Sequence, residues 1–252
     1  MSASVLIIHS FAKQIDMGSK LSGPIPGDIL AQKKLMMCMA AVAGFCDSYG
    51  LLYFRTYVSF MSGNSTQAGF SLGKQDYYTA LLAFTAILFF SLGIFTASIA
   101  VGCAWYRPRW MPFVFVSFLL KLCATLVYFF HPDKHIGVAL LSFAIGFLNN
   151  ALTHIGGQTV NADFVTGNLN NSMKHLALGL KREELPDAKG PWDSHLSRAR
   201  LLLLIWLCFL LGAAGCVVVE RRLGVWTLIV TAIVLLLCAA FVRKKNVPLS
   251  NA

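Results

Sequence analysis

Asp47 stands in AGFCDSYG, inside an apolar run from Leu35 to Phe54. A carboxylate at the centre of a membrane helix costs about 2.5 to 3.5 kcal/mol on insertion scales, so a compensating interaction is required. Three are open to this sequence: a proton on the carboxylate, an ion pair with Lys121 in the run Trp110 to Phe130, or a watery cavity. All three suit a proton or cation site. A second pattern is the phrase FMSGN at residues 60 to 64, which returns as FVTGN at residues 164 to 168. Ser62 and Thr166 are of the type that caps helix starts, Gly63 and Gly167 permit tight backbone geometry, and Asn64 and Asn168 donate and accept hydrogen bonds. A helix starting at the phrase would aim its unpaired N–H groups, with their partial positive charge, toward the membrane centre. In carriers built from repeats, such half-helix ends hold anionic groups of substrates or, by their carbonyls, ions. A third pattern is the row Gly146, Asn149, Asn150, Thr153, His154 and Gly157, expected on one polar helix face. On it, Asn149 and Asn150 would line a solute path and His154 is a candidate proton relay, although such stripes also serve as glue between helices. Asp163 is read as solvated or paired with Arg198 or Arg200.

These groups need a membrane frame, and the composition supplies one. With 57% hydrophobic and 13% charged residues and a mean hydropathy of +0.66, the chain has too little polar surface for a water-soluble globule. Six stretches approach or exceed the length that crosses a bilayer: Leu35 to Phe54, Leu81 to Ala104, Trp110 to Phe130, Ile136 to Gln158, Leu201 to Val219 and Leu223 to Val242. The expected fold is an all-α polytopic membrane protein of about six spanning helices. Residues 1–34 are read as a cytoplasmic leader, 243–252 as a cytoplasmic tail, and 181–200 as a solvated connector. All seven cysteines fall in the apolar runs, which points to packing rather than to disulfides or a metal, and no cofactor is expected.

The net charge of +10 reports orientation before it reports nucleic acid. With the N-terminus inside, fifteen basic residues fall in inside segments and five in outside ones, so both termini are expected in the cytoplasm, across an inner or plasma membrane. Aligning the two phrases also aligns Gly44 with Gly146, Gly93 with Gly212, and the tryptophan-led run at Trp110 with that at Trp226. The chain therefore reads as a duplicated three-helix unit, residues 35–130 and 136–242. Because three crossings is an odd number, the second unit is expected to be inverted, with room for broken or re-entrant segments at the two phrases.

The segment AGFCDSYG, followed by YVSFMSGNSTQ and later NADFVTGN, resembles the YoaK-type family of small integral membrane proteins over about residues 35 to 242. The resemblance implies about six membrane helices and names no activity. Ser62 stands where that family would lead one to expect threonine, which keeps the hydroxyl.

The leading expectation is a secondary transporter or facilitator of a small polar solute or ion, coupled to protons or cations at Asp47, with Lys121 as a candidate charge partner. A membrane scaffold or sensor is the alternative. An intramembrane hydrolase using Ser62 and His154 is a weaker one, since the mirrored Thr166 has no second histidine. No phosphate loop or HExxH motif occurs, and no enzyme is expected. The expected partners are the lipid bilayer, an unidentified solute and, as a further option, a second copy of the chain.

Overall fold

The computed structural model describes residues 25–100, 108–131, 133–156 and 158–247. Most of the expected leader, the end of the second expected span, Gly157 and the last five residues of the tail lie outside the described residues. Helix α1 covers Gly27–Phe54, α2 Met61–Gly73, α3 Tyr77–Ala100, α4 Met111–Phe130 and α5 Lys134–Asn149. A short antiparallel hairpin follows, β1 His154–Ile155 with β2 Gln158–Thr159. Then come α6 Val165–Leu180, α7 His195–Leu223, one 3-10 turn at Gly224–Thr227 and α8 Leu228–Lys245.

Local chemistry sets several of these boundaries. Pro26 precedes α1, which starts earlier than the expected Leu35, so residues 27–34 are helix rather than leader. Asp133 caps α5 by accepting from His135 N at 2.8 Å, and Ser194 caps α7 by accepting from Ser197 N at 3.2 Å. The fourth expected span does not run to Gln158. It stops at Asn149, because Thr153, Ile155 and Thr159 are poor helix formers around a glycine pair, and Gly156 takes a φ of +61° to turn the hairpin. The polar row from Gly146 to His154 is consequently split between a helix end and a hairpin.

Four helical runs are long and apolar enough to cross a membrane, Gly27–Phe54, Tyr77–Ala100, Met111–Phe130 and His195–Lys245, the last holding both α7 and α8; Lys134–Asn149 is a shorter apolar helix. Leu81, Phe84, Leu88, Leu92, Phe95 and Ile99 form an exposed apolar stripe along α3, the surface that lipid covers and water would not. By contrast α1 is buried on most of its circumference, through Met36, Met39, Ala40, Cys46 and Tyr49. This is a membrane protein with α1 in its core.

The halves exchange partners. Helix α1 packs chiefly on α7 and α3 chiefly on α5, so each half's first long helix lies against the other half's second. Glycines set both crossings, in matching registers. A side-chain carbon on Gly44 would meet the Phe209 carbonyl, and one on Gly146 the Phe90 carbonyl. Likewise Gly212 faces the Ala41 carbonyl and Gly93 the Phe143 carbonyl. Both crossings are parallel: Tyr53 bonds Glu220 near the far ends of α1 and α7 at 3.2 Å, and Ser98 accepts from Asn150 past Gly93 and Gly146 at 3.3 Å. Aligned helices run in opposite directions. Phe54 of α1 lies on Gly137 near the start of α5, while Met39 and Ala43 lie near Leu148 and Ile145. On α4 and α8, Trp110 sits under Arg243, Ser117 Oγ donates to the Ala232 carbonyl at 3.1 Å, and Tyr128 stacks on Trp226 at 4.8 Å.

Gly146→Ala should therefore lose about 1–3 kcal/mol by overpacking. Gly215→Ala, which faces open space on the same helix as Gly212, should gain up to about 1 kcal/mol of helix propensity. Thermal unfolding in detergent micelles, read as a fall in one midpoint and a rise in the other, checks the pair.

Candidate functional site

In the first half the phrase FMSGN opens α2, and its groups are turned inward onto the backbone. Asp47 is buried, and its Oδ1 accepts from Val58 N at 2.8 Å and Ser59 N at 2.7 Å while Oδ2 accepts from Ser59 Oγ at 2.7 Å. These donors lie immediately before the helix start at Met61, so the carboxylate sits where a helix dipole favours negative charge. Asn64 is fully buried. Its Oδ1 accepts from Thr56 Oγ1 at 3.1 Å and Tyr57 N at 3.2 Å, and its Nδ2 donates to the Tyr57 carbonyl at 2.9 Å. Gly63 is required because the Phe60 ring covers its α-carbon. The neighbouring Ser62 is exposed and does not cap the helix; the capping position is Phe60, with no side-chain bond.

The second half repeats the arrangement with one exchange of roles. Phe164 covers Gly167, Asn168 is buried, and its Nδ2 donates to the Asn161 carbonyl at 2.8 Å, the position aligned with Tyr57. Thr166 is exposed, as Ser62 is, and the cap expected of both is absent. The carboxylate, however, changes sides. Asp47 on α1 faces Ser59 on the connecting segment, whereas Asn149 on α5 faces Asp163 on the second connecting segment. Asp163 is buried and lies against no arginine, contrary to the pairing read from the sequence. Burial, and next the Asp47 carboxylate, push Asp163 up to about 7, while the Asn149 amide opposes them. Asn149 Oδ1 and Asp163 Oδ2 are both buried without a hydrogen-bond partner. They border a cavity of about 10 Å³ closed by Met39, Ala43, Ile145, Leu148 and Ala162.

The two ends of α1 differ. Beyond its C-terminal end, a groove of about 640 Å³ is open to the surroundings and lined by Arg55, Tyr57, Phe60, Ser62, Gln67 and Phe70 among others, a volume in the range of small-molecule sites. At the N-terminal end the connector is largely exposed over residues 181–191, as expected, and is tied down at Trp192 and Asp193. Arg198, buried at the start of α7, donates to Asp193 at 2.9 and 2.8 Å and to Asp187 at 3.0 and 3.1 Å. Burial alone would raise Asp193, but the guanidinium outweighs it and holds the carboxyl below the usual range; Asp187 is lowered by the same arginine. Trp192 is buried against Gly156 of the hairpin turn, with Lys33 of α1 at 5.5 Å over its ring.

The remaining candidates are scattered. Lys121 is exposed on α4 and does not bond Asp47. His154, bonded to Thr153 at 3.0 Å, is in the hairpin at the Lys33 end, while Ser62 borders the groove at the Arg55 end, so the two do not meet. Asn150 turns away from Asn149, toward Ser98. Sequence reasoning undervalued Asp163. The signal was present in the alignment, which sets Asp47 opposite Asn149 and Ser59 opposite Asp163, and so keeps one carboxylate in each helix-to-segment tie.

The profile of a family described as "Protein of unknown function (DUF1275)" matches residues 35–241. The UPF0700 transmembrane protein RA0705 of Rhizobium meliloti is 29% identical over 206 residues, 82% of this chain and 84% of that protein. The UPF0700 transmembrane protein YoaK of Bacillus subtilis is 25% identical over 150 residues, 57% of this chain and 66% of that protein. No solved structure matches.

Asp47→Ala should strand two buried N–H groups at about 1–3 kcal/mol each, whereas Asp47→Asn keeps an acceptor and should cost less. Hydrogen exchange at Val58 and Ser59, faster in the alanine variant than in the asparagine one, checks this. Arg198→Gln should free the connector, so that trypsin cuts at Lys181, Arg182 or Lys189 in membranes that resist cleavage when Arg198 is present. Because the two aspartates have lowered values when folded, the tie is fully present above the unfolded aspartate value of about 3.9 and is lost as pH falls through the folded values. Connector cleavage by an acid-active protease should therefore rise only in that acid range.

Proposed function

We propose, from the premise that this chain belongs to the DUF1275 family of membrane proteins, that it is a secondary carrier or facilitator for a small cationic or proton-coupled solute, built as two inverted three-helix repeats. The observation that carries this reading is the reversed direction of the aligned helices together with the glycine crossings matched residue for residue. A chain with two such related halves has two nearly equivalent packings, which is the physical basis of alternating access. Helices α2 and α6, at 13 and 16 residues, are about 20 and 24 Å long and too short to cross the hydrocarbon core. As half-helices they end at the buried motifs.

Charge selects the class of solute. The N–H groups just before α2 are already taken by the internal carboxyl of Asp47, so an anion would find no free helix end there. With the N-terminus inside, the open groove faces outward and the connector held by Arg198 closes the cytoplasmic side. Movement of the second half against the first would release that connector and close the groove.

A membrane scaffold is the second reading, favoured by the way Asp47, Asn64 and Asn168 spend their hydrogen bonds on their own backbone. The thermal midpoint of purified protein against a panel of inorganic cations, amines, amino acids, organic acids and anions separates the two. A carrier should gain about 2.7 kcal/mol at a hundredfold excess over Kd of a cation or amine, and the gain should shrink in a Tyr57→Leu, Gln67→Ala variant of the groove, which removes a ring face and an amide oxygen that a cation would meet. Equal midpoints across the panel would favour the scaffold.

A further inference from the structure

The cavity between α1 and α5 is bordered by two acceptor oxygens that have no partner. Asn149 Oδ1 and Asp163 Oδ2 are buried there without partners, inside a wall of Met39, Ala43, Ile145, Leu148 and Ala162. An orphaned buried acceptor costs about 1–3 kcal/mol, and more when it is charged. Two oxygens are too few to replace the water around a metal cation, and the space, about 10 Å³, holds one water at most. A hydrogen bond from a protonated carboxyl, directly or through that water, satisfies both oxygens together.

We infer that Asp163 and Asn149 form an internal proton-binding site: the Asp163 carboxylate takes one proton from solvent, becomes a neutral acid, and donates through Oδ2 toward Asn149 Oδ1. The neighbouring charge favours this. Among the described residues, the carboxylate that acts on Asp163 is Asp47 of α1, itself an acceptor of three hydrogen bonds. Asn149 of α5 is neutral, Lys121 is exposed on α4, and the nearest arginine in sequence after the connector, Arg198, is engaged by Asp187 and Asp193. A second carboxylate charge in this buried region has no cation to balance it. The inference moves the coupling role from Asp47 to Asp163. Asp47 is the positioning residue, holding the start of α2.

Only the coupling role rests on the carrier reading; proton binding is measured without any solute. Infrared spectra of the purified protein in lipid nanodiscs, recorded from acid to alkaline pH, report a protonated carboxyl by its carbonyl band. The expected result is a band that persists above the range of exposed carboxyls, disappears as pH rises through neutrality, and is absent in Asp163→Asn. In Asp47→Asn the band should remain and titrate at lower pH, because a like charge has been removed. Should Asp163→Asn fail to fold, Asn149→Leu keeps the carboxyl and removes the oxygen that accepts its proton, so the band should disappear at lower pH than in the parent protein. A missing band would mean that water alone satisfies the cavity, and it would overturn the proposal, as would a band retained in Asp163→Asn or a midpoint unmoved in Asn149→Leu. If the band behaves as expected while no solute shifts the thermal midpoint, the proton site stands and the carrier reading fails.

Discussion

Each of the two short helices begins beside a buried carboxylate, and that electrostatic pairing organises the rest of the molecule. Without Asp47, the N–H groups of Val58 and Ser59 would be buried in a medium that offers no replacement donor or acceptor. The cost of placing a charge among membrane helices is thus offset by a helix start, two backbone donors and a hydroxyl. In the second half the same helix-to-segment tie is made with the acid on the other strand of the contact, at Asp163, and with an amide where the first half has an acid. The tie is conserved in geometry and divided in chemistry. One carboxylate is saturated with donors, and the other is left with an oxygen that faces a second acceptor.

Around these ties the long helices interlock. Because α1 lies on α7 and α3 on α5, the contacts between the halves are set by glycines on both sides. Close backbone approach at Gly44, Gly93, Gly146 and Gly212 lets helices pack by dispersion where lipid gives no hydrophobic drive between them. The ends of the molecule are finished differently: an open groove beside Arg55 and a clamped connector at Arg198.

Much of the frame was legible in the residues. The apolar runs located the long helices, since a helix in lipid must be apolar along its length, but not their ends: α1 starts at Gly27 rather than Leu35 and α5 stops at Asn149 rather than Gln158. The duplicated landmarks located the glycine crossings, because only glycine admits a carbonyl at its α-carbon. The reading stretched too far where periodicity was extended past Asn149, and where Ser62 and Thr166 were given caps at helix starts whose capping positions are Phe60 and Phe164. The connector around Trp192 and Arg198 looked solvated because its charges of both signs are close in sequence; folding turns that mixture into a buried ion pair.

The sequence by itself determined the class of this protein, a helical membrane protein, and the glycines at which helices touch, both of which follow from local composition and from spacing along one chain. Only the tertiary structure decided what the polar groups do. Whether Asn64 faces a solute or its own backbone, and whether Asp163 meets an arginine or an amide, depends on which segments return to the centre from a hundred residues away. Hydrogen-bond partners are set by distances of about 3 Å, and no periodicity along the chain encodes those.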